Sequence, residues 1–234
     1  MKNAILQRLC KESQVKKQVV KGTFQTTMLK VLLNIQMRKI IAALLFITSI
    51  SSAAKSQDAK AEFLKEPSTW SFERFPLPPV FSPDFPYKGV EELRFSPGMF
   101  KKDSLDYFSY AFVAQLNNTT TIMQSEIKNY LLTYFKGLCG STAKERKLSI
   151  DTSQITVFIE KKNNVPPGVT IYNALLNIFG VFADGAPVTL NAEIKVLNNI
   201  NTKNTYLVFI ASPHKKTDDI WKQLYKIQSG FTIQ

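Results

Sequence analysis

The chain has 234 residues, with 30 Lys and Arg against 18 Asp and Glu, one histidine and two cysteines. One histidine excludes a metal site built on two or three imidazoles, and so few cysteines exclude a disulfide framework. The net charge of +12 would suggest a nucleic-acid partner, but the charge is unevenly placed along the chain.

Residues 1–36 carry seven Lys or Arg against one acid, Glu12. They read as an upstream extension or a basic leader. Residues 37–56 have the order of a secretory signal peptide. Arg38 and Lys39 form a positive start, Ile40 to Ile47 is a continuous apolar run, and Ser51, Ser52, Ala53 and Ala54 lead to a cleavage region. The run is shorter than the roughly 18–20 residues of a membrane-spanning helix. Cleavage is expected after Ser56, with Ala61 as the second choice. No cysteine follows either site, which excludes a lipid anchor there. From Asp58 onward 20 basic residues face 17 acidic ones, a balance of +3. No nucleic-acid partner is therefore expected. A membrane is a partner only if residues 37–56 stay uncleaved as an anchor.

The expected mature chain is one domain over residues 67–234, preceded by a polar lead-in at 57–66. Cys10 lies upstream, so Cys139 stands alone in it. Residues 67–97 hold seven of the eleven prolines and seven aromatics. They read as an irregular arm laid across a sheet, since that many rings are costly to leave in water. An aromatic groove for a sugar or peptide is the alternative.

Gly89 to Ser96 is the first expected strand. Asp106 to Leu116 is the second, apolar on both faces and hence central. Asn117 to Thr120 is a turn and helix start. Ile122 to Leu138 has three- and four-residue apolar spacing, which predicts an amphipathic helix closed by Gly137 or Gly140. Cys139 then sits on its last turn as a small buried residue. Gln154 to Glu160 is the next strand. Residues 170–182 suit a strand, although Ala174-Leu175-Leu176 also tolerates helix. Val188 to Leu197 alternates cleanly, with one wet face. Asn204 to Ala211 is apolar on both sides and central. His214 follows a Ser-Pro turn and reads as an exposed loop residue. Thr217 is an expected N-cap, and Ile220, Leu224, Ile227 and Phe231 line one face of a closing helix. The order predicts an α+β fold: an antiparallel sheet of about six strands with two main amphipathic helices packed on it.

The closing strand, Ser-Pro turn, helix and terminal Ile227, Ser229 and Phe231 resemble the end of Mog1/PsbP-type domains. GVEELRFSPGMF and YFSYAFV also look like exported bacterial proteins of unknown function. The resemblance covers about the last 60 residues. It implies an antiparallel sheet between helices, in a family composed mostly of binding or assembly factors.

No catalytic or metal-binding group emerges. There is no G-x-S-x-G elbow, P-loop or dinucleotide glycine pattern. Glu91 and Glu92 are adjacent, so on a strand they point to opposite faces and cannot work as a pair. Glu92 and Arg94 share a face. With Trp70 and Tyr110 as aromatic walls they are the candidate binding residues; the plainer account of each is a cross-strand ion pair or a core ring. The expectation is an exported, periplasmic or secreted, non-catalytic accessory without a cofactor. Its partner would be a protein or small-molecule ligand of the cell envelope. Alternatives are a carboxylate-dependent hydrolase acting on glycans, and a membrane-tethered structural protein.

Overall fold

A computed structural model describes residues 63–233. The expected leader and signal segment lie outside the described residues. Seven strands form one antiparallel sheet: β1 (Ser71–Leu77), β2 (Gly89–Phe95), β3 (Tyr110–Leu116), β4 (Thr156–Lys161), β5 (Thr170–Phe179), β6 (Pro187–Asn199) and β7 (Asn204–Ser212). Their spatial order is β1-β2-β3-β7-β6-β5-β4. Helix α1 (Gln124–Arg146) connects β3 to the far edge strand β4, and α2 (Asp219–Gly230) closes the domain.

The pattern of side chains explains this layering. In β3 Tyr110, Phe112, Ala114 and Leu116 enter one core, while Ala111 and Val113 enter the other. In β7 Leu207, Phe209 and Ala211 likewise oppose Tyr206, Val208 and Ile210. Strands apolar on both sides belong where both faces are covered, and these two lie at the middle of the sheet. Helix α1 covers one face with Ile127, Tyr130, Leu131, Tyr134 and Phe135. Helix α2 covers β3 and β7 on the other face with Ile220, Trp221, Leu224 and Ile227.

Several expectations need correction. The seventh strand, β1, lies inside the proline-rich arm. Its alternation sends Phe75 and Leu77 to the α1 core while Phe72 stacks under Arg94 on the other face. Pro76 is tolerated because β1 is an edge strand. The second expected strand begins at Tyr110, because Phe108 turns the chain with φ +47°. Helix α1 starts at Gln124, with the Glu126 carboxylate accepting from the Met123 amide at 2.7 Å. It passes through Gly137 and Gly140 and ends at Lys147, which adopts φ +57°. Buried Cys139 and Ala143 hold its last turns to the core, which outweighs the roughly 1 kcal/mol penalty of each helical glycine. Gly137 has a packing reason: a Cβ there would lie 2.6 Å from the Phe81 carbonyl oxygen. Cys139 is thus interior to the helix. The lead-in is not merely polar, since Leu64 is buried in the α2-side core.

The rest of the arm folds over α1. Phe81 meets Tyr134 edge-on at 5.0 Å, and Phe85 meets Tyr130 at 4.6 Å. Such pairs contribute about 0.5–1.5 kcal/mol each beyond their burial. These rings cover a core; they do not line an open groove.

Candidate functional site

Strand β2 carries two adjacent acids through the middle of a hydrophobic layer. Alternation sends Glu91 to the α1 face and Glu92 to the α2 face, and both are completely buried. Each is satisfied differently. Glu91 accepts hydrogen bonds from the Tyr134 hydroxyl at 2.6 Å and the Tyr130 hydroxyl at 3.0 Å. These tyrosines are one helical turn apart on α1, and their rings stack at 6.1 Å. Burial pushes the Glu91 carboxyl up to about 7, against the opposing effect of the two hydroxyls. Burial also raises both tyrosines well above their ordinary range.

Glu92 meets charge and backbone. Its carboxylate accepts from the Leu64 amide at 2.6 Å, the Phe63 amide at 3.0 Å and the Arg74 guanidinium at 2.9 Å. Arg94, two residues on, donates to the carbonyls of Leu64 at 2.8 Å, Trp70 at 3.0 Å and Lys65 at 3.3 Å. Together they grip both polar groups of the Leu64 backbone. Burial lowers the Arg94 guanidinium, while Glu92 and Glu66 oppose the shift.

The sequence-selected residues therefore separate. Glu92 and Arg94 do share a face, and Trp70 joins them through its carbonyl, with its ring buried in the α2-side core. Tyr110 lies on the opposite face, stacked near Phe112 and Phe209. What Glu92 and Arg94 hold is the chain's own segment 63–70.

The accessible chemistry lies at the other end of the sheet. Helix α2 packs chiefly on β3 and β7 and reaches β6 where Gln228 donates to the Glu193 carbonyl at 3.4 Å, so this face lies open mainly over β4 and β5. Cross-strand rows organise it. Thr156, Asn177 and Thr189 form a hydrogen-bonded ladder at 3.0 and 2.8 Å. The next row holds Phe158 beside Leu175, which are 60% and 39% exposed. The third row holds Glu160, Asn173 and Glu193. Glu193 is buried and takes Lys162 at 2.9 Å, with Lys216 4.0 Å away. The Lys216 ammonium donates to Asn173 at 2.8 Å, and burial lowers its pKa although Glu193 opposes this. The expected wet face of β6 is therefore only partly wet.

A groove of about 990 Å³ runs over this face and around the β4 edge to the start of α1, where Met123 is 64% exposed. Gln124 closes one edge position by donating to the Ile159 carbonyl at 2.9 Å. Phe158 is not legible as a site residue in the sequence, because its strand has the pattern of any short amphipathic segment. Its polar neighbours Thr156 and Glu160 were the available signal for a bare face.

Other reactive groups are held inside. The Cys139 thiol faces the Phe179 carbonyl at 3.8 Å, and burial pushes it up to about 11. His214 is half-buried, correcting its expected exposure: its carbonyl accepts from Trp221 and Asn191, and its Nε2 is buried. Among the described residues no group of three His, Cys, Asp or Glu is placed to hold a metal ion, and no helix is long and apolar enough to cross a membrane. Compared with family models, curated proteins and solved structures, the chain matches none.

Proposed function

We propose that the chain is exported through residues 37–56 and then serves as a non-catalytic binding or assembly accessory of the cell envelope, periplasmic or secreted. Its working surface is the groove along β4. The observation that carries this reading is the exposed Phe158–Leu175 pair, set at an open sheet edge between a polar ladder and the Glu160, Asn173 and Glu193 row that Lys162 and Lys216 engage. Apolar side chains rimmed by polar ones at an edge strand are the chemistry of an interaction site. The buried acids support the same reading, because Glu91, Glu92 and Glu193 are each engaged by neighbours within the fold. A glycan hydrolase would need two carboxyls flanking an accessible bond. The resemblance of the closing strand, turn and helix to Mog1/PsbP-type domains points toward a binding or assembly role as well.

Native mass followed by denatured mass, on protein purified from its own envelope, tests the proposal. A denatured chain beginning at Gln57 or Glu62 and a heavier native species, returned to bare mass by Phe158→Glu, are expected. A chain retaining Met37 favours a tethered structural protein. Turnover of a glycan by the partner-free protein overturns the non-catalytic role.

A further inference from the structure

The groove follows an edge strand whose sequence is close to a palindrome around one residue. Strand β4 reads Thr156-Val157-Phe158-Ile159-Glu160-Lys161. Phe158 is the centre, with an aliphatic residue on each side and a polar residue beyond each. The backbone groups facing out are also defined. Lys162 donates inward to the Ile171 carbonyl, whereas the Ile159 carbonyl is reached from outside by Gln124. In an antiparallel ladder inward and outward groups alternate. Val157, Ile159 and Lys161 therefore present their amides and carbonyls to whatever lies beyond the edge.

We propose that β4 pairs with β4 of a second copy of this chain, antiparallel about a two-fold axis through Phe158, joining two sheets into one. This rests on the reading of the groove as an interaction surface. In that register Val157 opposes the second copy's Ile159, so the outward groups of both residues are matched. Phe158 opposes Phe158, and Leu175 beside each extends the pair into an apolar row four residues long. Thr156 opposes Glu160 and Lys161 opposes Ile155, so no like charges face each other. On the α1 side Val157 and Ile159 already pack on the core, and the pairing continues that core across the junction. A two-fold axis places the same patch on both partners, which closes the assembly at two chains and leaves no exposed β4 edge. Gln124 occupies the place of one incoming amide and has to swing aside.

Cysteine cross-linking tests both pairing and register. Phe158 lies at a non-hydrogen-bonded position, where opposed Cα atoms are about 4.5 Å apart, within the span of a disulfide. Phe158→Cys is expected to oxidise to a covalent dimer. Thr156→Cys alone is expected not to, since its mate lies four residues, about 13 Å, along the strand. A mixture of Thr156→Cys and Glu160→Cys is expected to cross-link as a heterodimer. Sedimentation of the unmodified protein should show two chains at high concentration, and Phe158→Glu should weaken association by at least about tenfold. A protein that stays monomeric at every concentration with no Phe158→Cys dimer overturns self-pairing; the envelope mass measurement judges the groove separately. A dimer unaffected by Phe158→Glu also overturns it. The cysteine variants keep the test valid should Phe158→Glu fail to fold.

Discussion

Replacing Glu91 by glutamine should change how stability depends on pH. Glu91 is completely buried, with both carboxyl oxygens on tyrosine hydroxyls. The charged and titratable groups facing it are Tyr130 and Tyr134 from α1, Tyr110 from β3 and Glu73 from β1. None of these is a cation. Its carboxyl rises from an ordinary 4.5 to about 7 on folding. The folded protein therefore binds the proton more tightly than the unfolded chain. Its contribution is fully present below about pH 4.5 and is lost as pH rises through about 7. At 1.36 kcal/mol per pH unit the loss amounts to about 3 kcal/mol. Glutamine keeps the shape and carries no charge, so Glu91→Gln should flatten the decline between pH 4.5 and 7. Above pH 7 the variant should be more stable than the parent by up to about 3 kcal/mol, less any cost of rearranging the tyrosine hydrogen bonds. Urea unfolding at several pH values measures this. Glu73 is raised too, by burial, so Glu73→Gln is the control. An equal decline in Glu91→Gln and the parent would refute the reasoning.

The two glycines of α1 should respond oppositely. Gly140→Ala meets only Thr152 at 3.6 Å and should stabilise by about 0.5–1 kcal/mol. Gly137→Ala runs into the Phe81 carbonyl and should lower the melting temperature by displacing the arm. Arg94→Met leaves the carbonyls of Leu64, Lys65 and Trp70 without their donor. It should cost about 3 kcal/mol or more, with early proteolysis between Phe63 and Trp70 as the local signature. Cys139, buried with its thiol pushed up to about 11, should resist thiol reagents at pH 8 until the protein unfolds.

The core was the most legible part of the fold. Strands apolar on both faces announced β3 and β7, and three- and four-residue spacing announced both helices. Strand β1 was harder to read, because prolines at 76, 78 and 79 hid the alternation of Phe72, Arg74 and Phe75, Leu77. Glycine was misleading in α1: a local preference of about 1 kcal/mol cannot end a helix whose next turns are buried. The opposite orientations of Glu91 and Glu92 followed from strand geometry. Their partners did not, because Tyr130 and Tyr134 come from a helix some 40 residues away and Glu92 grips backbone, which every residue possesses. The open face of β4 and β5 depends on where α2 lies, a matter of tertiary placement that periodicity in one strand does not encode.

The β4 edge as working surface is tested most directly by hydrogen exchange on the assembled, envelope-derived protein. Amides of Val157, Ile159 and Lys161 point away from β5 and should be protected in the assembled state. In Phe158→Glu they should exchange freely, with β5 and β6 unchanged. Equal, rapid exchange at these three amides in both proteins would contradict a partner at this edge.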